Sequence, residues 1–588
     1  MVLTECRRLL LAQSPRDQRH PGSMTTMTQI TLPTKPWLSH YPEGVPENID
    51  ISGYSSLIDL FEGSFRRFAD RNAYLCMGEA LTFAQLDIQS QCFANYLQTL
   101  GLEPGARVAV MLPNILQFPI VMLGILRAGY VVVNTNPLYT ARELEHQLND
   151  SGASVLIVLE NFAHVFESLQ GKTPIRHVVV TSLGEHLELK GKIVDFVVRH
   201  VKKLVPRWSL PGSVTFTQTI KTGSRHPTRQ VILTQDSVAF LQYTGGTTGV
   251  SKGAVLLHRN ILANVEQVDA WLAPALHRRP IEQLVFLCAL PLYHIFALTS
   301  CALVGLREGG LNILVPNPKD LPGLIKLLSQ HPDLHIFPGV NTLFNALTNH
   351  PAFAKIQLPN LLVSIGGGMA VQKTVADRWQ QLTGTPIVEG YGLSETSPVA
   401  CVNPTKIEHY TGTIGLPVPS TEIQILDDEG QPVPLGSPGE VAIRGPQVMA
   451  GYWNRPEETA KVMTAEGFFK TGDVGFMDQN GYVKIIDRKK DMIVISGFKV
   501  FPNELEEVIS RLPGVLECAV IGVPDEHTGE AVKLFVVRKD PSLTEQQVQA
   551  YCKEQFTNYK RPKQIVFRTD LPKSNVGKIL RRELRDLN

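Results

Sequence analysis

At 588 residues the chain is too long for one hydrophobic core, and a multidomain enzyme of three or four structural units is the starting expectation. Lys and Arg total 56 against 55 Asp and Glu, a net charge of +1, so no general nucleic-acid partner is indicated and any anionic ligand must be met by local groups. The eight cysteines are scattered among apolar neighbours without CxxC spacing, which supports neither a zinc site nor a disulfide framework and reads as a reduced, cytoplasmic protein.

Residues 1–27 contain two arginines followed by only four apolar residues, short of a signal-peptide core, and are expected to form a disordered leader in which Met24 or Met27 could equally serve as the start. From residue 28 to about 230, helical and strand patterns alternate. Ser55 to Phe68 has helical spacing, Ala106 to Met111 reads as a buried strand, and the apolar helix Phe118 to Arg127 precedes a strand at Tyr130 to Val133. Ser154 to Leu159 and His177 to Val180 repeat the pattern around another helix, and Thr140 with Glu143 three residues on opens a helix by a capping box. This is the signature of doubly wound α/β layers. The most apolar stretch, Phe118 to Val133, is interrupted by Arg127 and is too short and glycine-broken to span a bilayer. Lys190 to Trp208 departs from the alternation: Ile193, Phe196, Val197, Val201 and Leu204 share a face, with Lys192, Arg199, Lys202, Lys203 and Arg207 around it. Such a segment is either an ordinary surface helix or one suited to an anionic membrane surface.

The stretch LQYTGGTTGVSKGAVLLHRN, from Leu241 to Asn260, carries the strongest chemical signal. Val238 to Tyr243 and Ala254 to Leu257 read as strands, with a helix from about Arg259. Between the strands, glycines at 245, 246 and 249 let main-chain amides approach an anion, Thr244, Thr247, Thr248 and Ser251 offer hydroxyls, and Lys252 adds charge. A Walker A loop is disfavoured because Lys252 precedes a glycine and a strand follows it. The alternative is a glycine-rich hairpin without ligand.

Further on, Val285 to Leu290 is a strand leading into PLYHIFAL, where His294 is either a satisfied core residue or part of a site. Val363 to Met369 and Val388 to Pro398 are strands ending in glycines, and their exposed main chain with Tyr391 suits a flat adenine ring. Glu395 follows, and a carboxylate beside a triphosphate needs a metal between them, which makes it a Mg²⁺ ligand; otherwise it is a solvated turn residue. Asp427 to Gly445 is β-rich and turn-punctuated, consistent with a small barrel. Asp473 can accept two ribose hydroxyls and Arg488 can donate to the ribose from the other side. The charge run Asp487 to Asp491 would ordinarily be a solvated turn. Asn503 to Ser510, Leu516 to Val523, Lys533 to Val537 and Thr544 to Phe556 form a compact α+β unit, ending in LPKSNVGKILRREL with Lys578 on a basic loop.

From about Ser55 to the C-terminus the motifs YTGGTTGVSKG, YGLSE, TGD, IDRKKD and PKSNVGKILRR resemble those of the adenylate-forming superfamily, and within it bacterial long-chain fatty acid CoA ligases. The resemblance implies an α/β protein with a large N-terminal domain (28–486) of doubly wound layers plus a small β-barrel, a hinge at 487–491 pivoting on Lys490, and a mobile α+β C-terminal lid (492–588). It implies ATP held by Thr244, Gly245, Gly246, Thr247, Thr248, Gly249, Lys252, Gly367, Gly390, Tyr391, Gly392, Thr396, Asp473 and Arg488, with Mg²⁺ at Thr244 and Glu395. It makes Lys578 and Glu395 catalytic, and lines the acyl pocket with His294, Phe296 and Gly392, where relatives restricted to acetate have a bulky aromatic at the position of Gly392. Some relatives carry an aromatic gate where this chain has Leu298. The implied reaction joins a long-chain fatty acid to coenzyme A through an acyl-adenylate; a fatty acyl-AMP ligase serving a carrier protein and a non-catalytic sensor are the rivals. A peripheral contact with the inner face of the cytoplasmic membrane and a homodimer complete the expectations.

Overall fold

The computed structural model describes residues 35–244, 251–276, 280–574 and 577–586; the expected leader lies outside them. Residues from Pro36 onward form one unit. Its larger part is built on two twisted sheets that share a core. The first runs, from edge to edge, through the strands Gly451–Tyr452, Lys252–Leu257, Val238–Thr244, Val131–Asn134, Arg107–Met111, Val155–Leu159, His177–Thr181 and Val214–Thr215. From Val238–Thr244 to Val214–Thr215 the pairing is parallel, and Lys252–Leu257 is added antiparallel, placing Tyr243 opposite Gly253 and Thr244 opposite Lys252. The second sheet has parallel strands Ile387–Gly392, Val363–Gly366, Ile336–Gly339, Val285–Cys288, Leu311–Leu314 and Asn72–Cys76 at its centre.

The helix Gln117–Arg127 explains the apolar run noted above. Every residue from Gln117 to Leu126 is buried, so the segment is apolar all round because it is surrounded by protein. Gly124 lets it pass close to the helix Phe83–Thr99, where a Cβ would meet Ser90 O at 2.8 Å and the Phe93 ring at 2.9 Å. The capping box of Thr140 and Glu143 opens the helix Ala141–Ser151. Among the described residues no helix is long and apolar enough to cross a membrane.

The β-rich region forms a four-stranded antiparallel sheet in the order Glu422–Leu426, Gly439–Arg444, Phe469–Met477, Val483–Arg488. Beyond it, Val515–Asp525 and Gly529–Arg538 form a long antiparallel pair extended by Ile493–Ile495 and Gln564–Arg568 and packed by the helices Pro502–Ile509 and Glu545–Gln555. Among the described residues, buried apolar clusters lie either at or before Val483 or at or after Ile493, and none spans the segment between.

The C-terminal ends of the parallel strands of both sheets converge, the position where open α/β sheets bind ligands. Asn114 fixes that convergence. Its buried amide donates to the carbonyls of Cys288 and Leu290, both at 2.8 Å, and accepts from Leu292 N at 2.7 Å. Gln242 adds a second tie, donating to Tyr293 O at 3.0 Å. Replacing Asn114 by Ala strands two buried main-chain groups, Leu290 O and Leu292 N, while Cys288 O keeps the amide of Val315 at 3.1 Å, and a loss of about 2–4 kcal/mol of stability is expected. Urea unfolding checks this; a midpoint equal to that of the unaltered protein would show that the tie is dispensable.

Candidate active site

The converging strand ends open into one cavity of about 1470 Å³. Its wall includes Thr244, Lys252, His294, Phe296, Gly367, Gly390, Tyr391, Gly392, Glu395, Asp473, Arg488, Lys490 and Lys578, residues drawn from seven separate stretches of the sequence. Gly245, Gly246, Thr247, Thr248 and Gly249 lie outside the described residues. The flanks of their loop are held in place: Ser251 Oγ donates to Thr244 O at 2.5 Å, and His146 Nε2 lies 3.0 Å from Ser251 O.

One end of the cavity is charged. Asp473 and Arg488 face each other across the pair of strands Phe469–Met477 and Val483–Arg488, and Arg488 Nε stands 3.1 Å from Asp473 Oδ1. The Tyr391 hydroxyl, from the second large sheet, donates to Asp473 Oδ2 at 2.6 Å. Asp473 is therefore buried with both oxygens engaged, and the Tyr391 ring is pinned beside the glycines of its own strand end. Gly367 lies under the Phe296 ring: a Cβ there would stand 3.1 Å from the ring and 3.3 Å from Gly390 O.

Lys578 reaches this end from the far C-terminus. Its loop is closed by Ser574 N donating to Lys578 O at 2.7 Å and Lys578 N donating to Ser574 Oγ at 3.1 Å, and is docked by Thr342 Oγ1 on Gly577 O at 3.1 Å. Burial and the neighbouring Arg488, Arg581 and Lys490 pull its ammonium down to about 7. His294 accepts from Phe296 N through Nδ1 at 3.3 Å, and burial with Lys578 nearby brings it to about 4, so the ring is neutral.

Glu395 is buried, and burial pushes its carboxyl upward against the hydrogen bond that Tyr452 donates to Oε1 at 2.7 Å. The same Tyr452 ring lies 5.1 Å from Lys252 Nζ, which pairs with Glu458 at 2.6 Å. Tyr452 and Glu458 thus belong to the site, although nothing in their local sequence marks them. No cluster of three or more metal-ligating side chains occurs among the described residues. The buried carboxylate of Glu395 on the cavity wall fits Mg²⁺, which takes one or two carboxylates and completes its shell with substrate phosphates and water.

Two expectations change. Thr396, expected as a nucleotide contact, is fully buried; its hydroxyl donates to Leu393 O and Pro398 O and accepts from Leu393 N, so it shapes the loop that carries Glu395. At Gly392 a Cβ would lie on the carbonyl oxygen of Pro398, so the glycine is required by its own hairpin before any question of room for substrate arises. Leu298 is buried outside the cavity wall.

The charge run 487–491 is only half a solvated turn. Lys489 and Lys490 are exposed, whereas Asp487 and Asp491 are buried. Asp487 accepts from Asn503 N at 2.7 Å and pairs with Arg581 at 3.3 Å; Arg581 also pairs with Glu506 at 2.8 Å, and Arg585 with Asp491 at 2.9 Å.

Part of the cavity wall is apolar. Val268, Trp271 and Leu272, on one face of the helix His258–Leu276, line it with Leu290, Val399 and Ile414. Trp271 is fixed there by donating to Asn403 O at 3.0 Å.

A model of AMP-binding enzymes matches residues 61–453 and a model of the AMP-binding enzyme C-terminal domain matches residues 504–578. The chain is 53% identical over 554 residues to a long-chain-fatty-acid–CoA ligase of Escherichia coli O6:H1, covering 94% of this chain and 98% of that one. It is similar in structure to an anthranilate CoA ligase in complex with anthranoyl-AMP, with 26% identity, a TM-score of 0.79 and coverage of 91% and 97%. ATP-bound MatB from Rhodopseudomonas palustris is 28% identical with a TM-score of 0.74, over 90% of this chain and 98% of that one.

Because the folded value of Lys578 lies below the ordinary 10.5, the unfolded chain binds the extra proton between pH 7 and 10.5, and ligand-free stability gains from this group as pH rises through that window. A polyanion in the cavity restores the charged form. Calorimetry of ATP binding at about pH 8 in buffers of different ionisation enthalpy is expected to show uptake of about one proton that Lys578→Met lacks. Equal uptake by both proteins would mean that another group titrates.

Proposed function

Because the chain belongs to the AMP-binding enzyme family, we propose that it is a long-chain-fatty-acid–CoA ligase, consuming ATP, a fatty acid and coenzyme A and releasing acyl-CoA, AMP and pyrophosphate. The observation that supports this reading is one cavity whose wall gathers Lys578, Arg488 and Asp473 together with the apolar side chains of Val268, Trp271 and Leu272, the groups required by an acid with a long chain that must meet a nucleotide. Its chemistry follows from charge.

A carboxylate is already a nucleophile, so attack on the α-phosphorus needs no general base; what opposes it is repulsion between anions. Lys578, charged once the phosphates are present, lies between the two groups and neutralises both. The Asp473 carboxylate takes the ribose hydroxyls, Arg488 donates beside it, and Tyr391 with the main chain of Gly367, Gly390 and Gly392 frames the base. Thr244, Lys252 and the loop 245–249 take the β- and γ-phosphates. Glu395, with Thr244, would hold Mg²⁺, which supplies further neutralisation of the phosphates. The carboxylate oxygen bonds to the α-phosphorus as its bond to pyrophosphate breaks, leaving acyl-AMP. The acyl chain lies along Phe296 and the apolar face of His258–Leu276, with neutral His294 at the junction.

In the second step the thiol of coenzyme A attacks the acyl carbon, its proton passes to solvent and AMP leaves. A lysine required on the first path obstructs the second, which gives a physical reason for residues 492–588 to swing about Lys490 between steps. That no buried apolar cluster among the described residues spans 483–493 supports that boundary.

Incubation with ATP, Mg²⁺ and palmitate is expected to give AMP, pyrophosphate and, only with coenzyme A, palmitoyl-CoA. Acyl-AMP accumulating despite coenzyme A would identify a carrier-protein acceptor, and ADP would overturn the mechanism. Lys578→Ala should lose adenylation by roughly two orders of magnitude or more while still converting supplied acyl-AMP to thioester. Lys490→Pro should likewise separate the half-reactions, and equal loss of both would refute the pivot.

A further inference from the structure

The segment 189–208 contributes nothing to the cavity, yet five of its apolar side chains are among the exposed large apolar residues. The helix Glu188–Phe196 continues into a wider turn, Val197–Val201. Leu189 is 83% exposed, Ile193 68%, Phe196 59%, Val201 65% and Leu204 55%. An ordinary surface helix turns such a stripe inward. Here Gly191 and Val198 face inward instead, with Val194 packed on the core.

Polar ties on the inner side fix this orientation. Asp195 accepts from Ser182 Oγ at 2.6 Å and from Gly184 N at 2.7 Å. Arg199 is held by Glu160 at 2.9 and 3.0 Å, and Asn161 donates to Leu204 O at 3.0 Å. A close backbone approach of Gly184 and Gly191 leaves no space for a side chain at either. The apolar residues therefore point outward because the element is anchored by its other face.

Cations flank them. Lys190, Lys192, Lys202, Lys203 and Arg207 are all exposed, and a Cβ on Gly78, beside the 47% exposed Met77 in the neighbouring turn, would lie 4.0 Å from Lys190 Nζ. Arg199, spent on Glu160, does not belong to this set. Trp208 does not either, because it is half-buried against the core of the first sheet.

We propose that residues 189–207 are a membrane-docking face that inserts Leu189, Ile193, Phe196, Val201 and Leu204 into the headgroup–acyl boundary of an anionic phospholipid bilayer while the flanking lysines and Arg207 meet lipid phosphates. The pattern of outward apolar side chains ringed by cations matches a bilayer interface, where apolar burial and charge attraction act together. It does not depend on which acid the cavity takes, and it brings the enzyme to the phase in which long-chain acids dissolve.

The test uses the full chain, with vesicles of phosphatidylcholine alone or mixed with phosphatidylglycerol. The unaltered protein is expected to sediment with the mixed vesicles and weakly with the neutral ones, less so at high salt. Phe196→Asp with Val201→Asp should lower the partition coefficient roughly tenfold or more, and Lys202→Glu with Lys203→Glu should abolish the preference for phosphatidylglycerol. Thermal midpoints should stay unchanged. A fluorophore on Phe196→Cys should be quenched by brominated lipid. Sedimentation unaffected by the Asp substitutions, or a label that stays in water, would overturn the proposal. So would a concentration-dependent dimer that loses its contact in the Asp variant and ignores vesicles, which would assign the face to a second copy of the chain.

Discussion

The site is organised by positive charge gathered around one buried carboxylate. Asp473 is engaged by Arg488 and Tyr391, and into the same space the fold brings Lys578, with Lys490 and Arg581 near enough to depress it. Two cations beside one anion in a poorly solvated cavity do not balance, and the lysine responds by giving up its proton near neutrality. His294 feels the same surplus and stays neutral. At the other side of the nucleotide region the imbalance has the opposite sign: Glu395 is buried with only a tyrosine hydroxyl at Oε1. A metal–triphosphate complex would satisfy both groups at once.

That arrangement depends on aligning strand ends from different sheets to within hydrogen-bonding distance. Asn114 and Gln242 hold the end of Val285–Cys288 and the following PLYH turn against the first sheet. The Asp473–Arg488 pair is set by strand register, so it cannot slip without flipping neighbouring side chains to the other face. Lys252, in contrast, shares Glu458 with Lys461 at the surface, an exchangeable pair that an incoming phosphate can displace.

Much of this was legible beforehand. The hairpin around the phosphate loop, the apolar helix before Val131–Asn134 and the capping box at Thr140 are local patterns, and local patterns survive folding. Lys578, Asp473 and Glu395 stood out through motifs whose spacing reflects chemistry. What misled were residues whose backbone neighbours are invisible in a linear chain: Thr396 spends its hydroxyl on its own turn, and Gly392 is dictated by Pro398. Asn114, Tyr452 and Arg581 went unnoticed because each acts on partners 57 to 178 positions away. The stripe at Ile193–Leu204 showed its period, but which face the protein would bury depended on Asp195 and Arg199 finding partners in other strands.

The way Lys578 is presented also argues for a lid that opens. The helix Asn341–Asn349 receives the C-terminal part through single polar contacts: Thr342 to Gly577 O at 3.1 Å, Asn345 to Leu516 O at 3.2 Å, and Asn349 Oδ1 to Lys539 Nζ at 2.9 Å. These positions, spaced by three and four, make a polar stripe on one helix face. Hydrogen bonds of this kind contribute about 1 kcal/mol each, so the set can be broken and remade within a catalytic cycle, whereas a shared apolar core could not. Arg581 supplies the continuity. It touches Asp487 on one side of Lys490 and Asn503 and Glu506 on the other, so a rotation about Lys490 can release Asp487 while the arginine keeps its Glu506 partner and never becomes an unpaired buried charge.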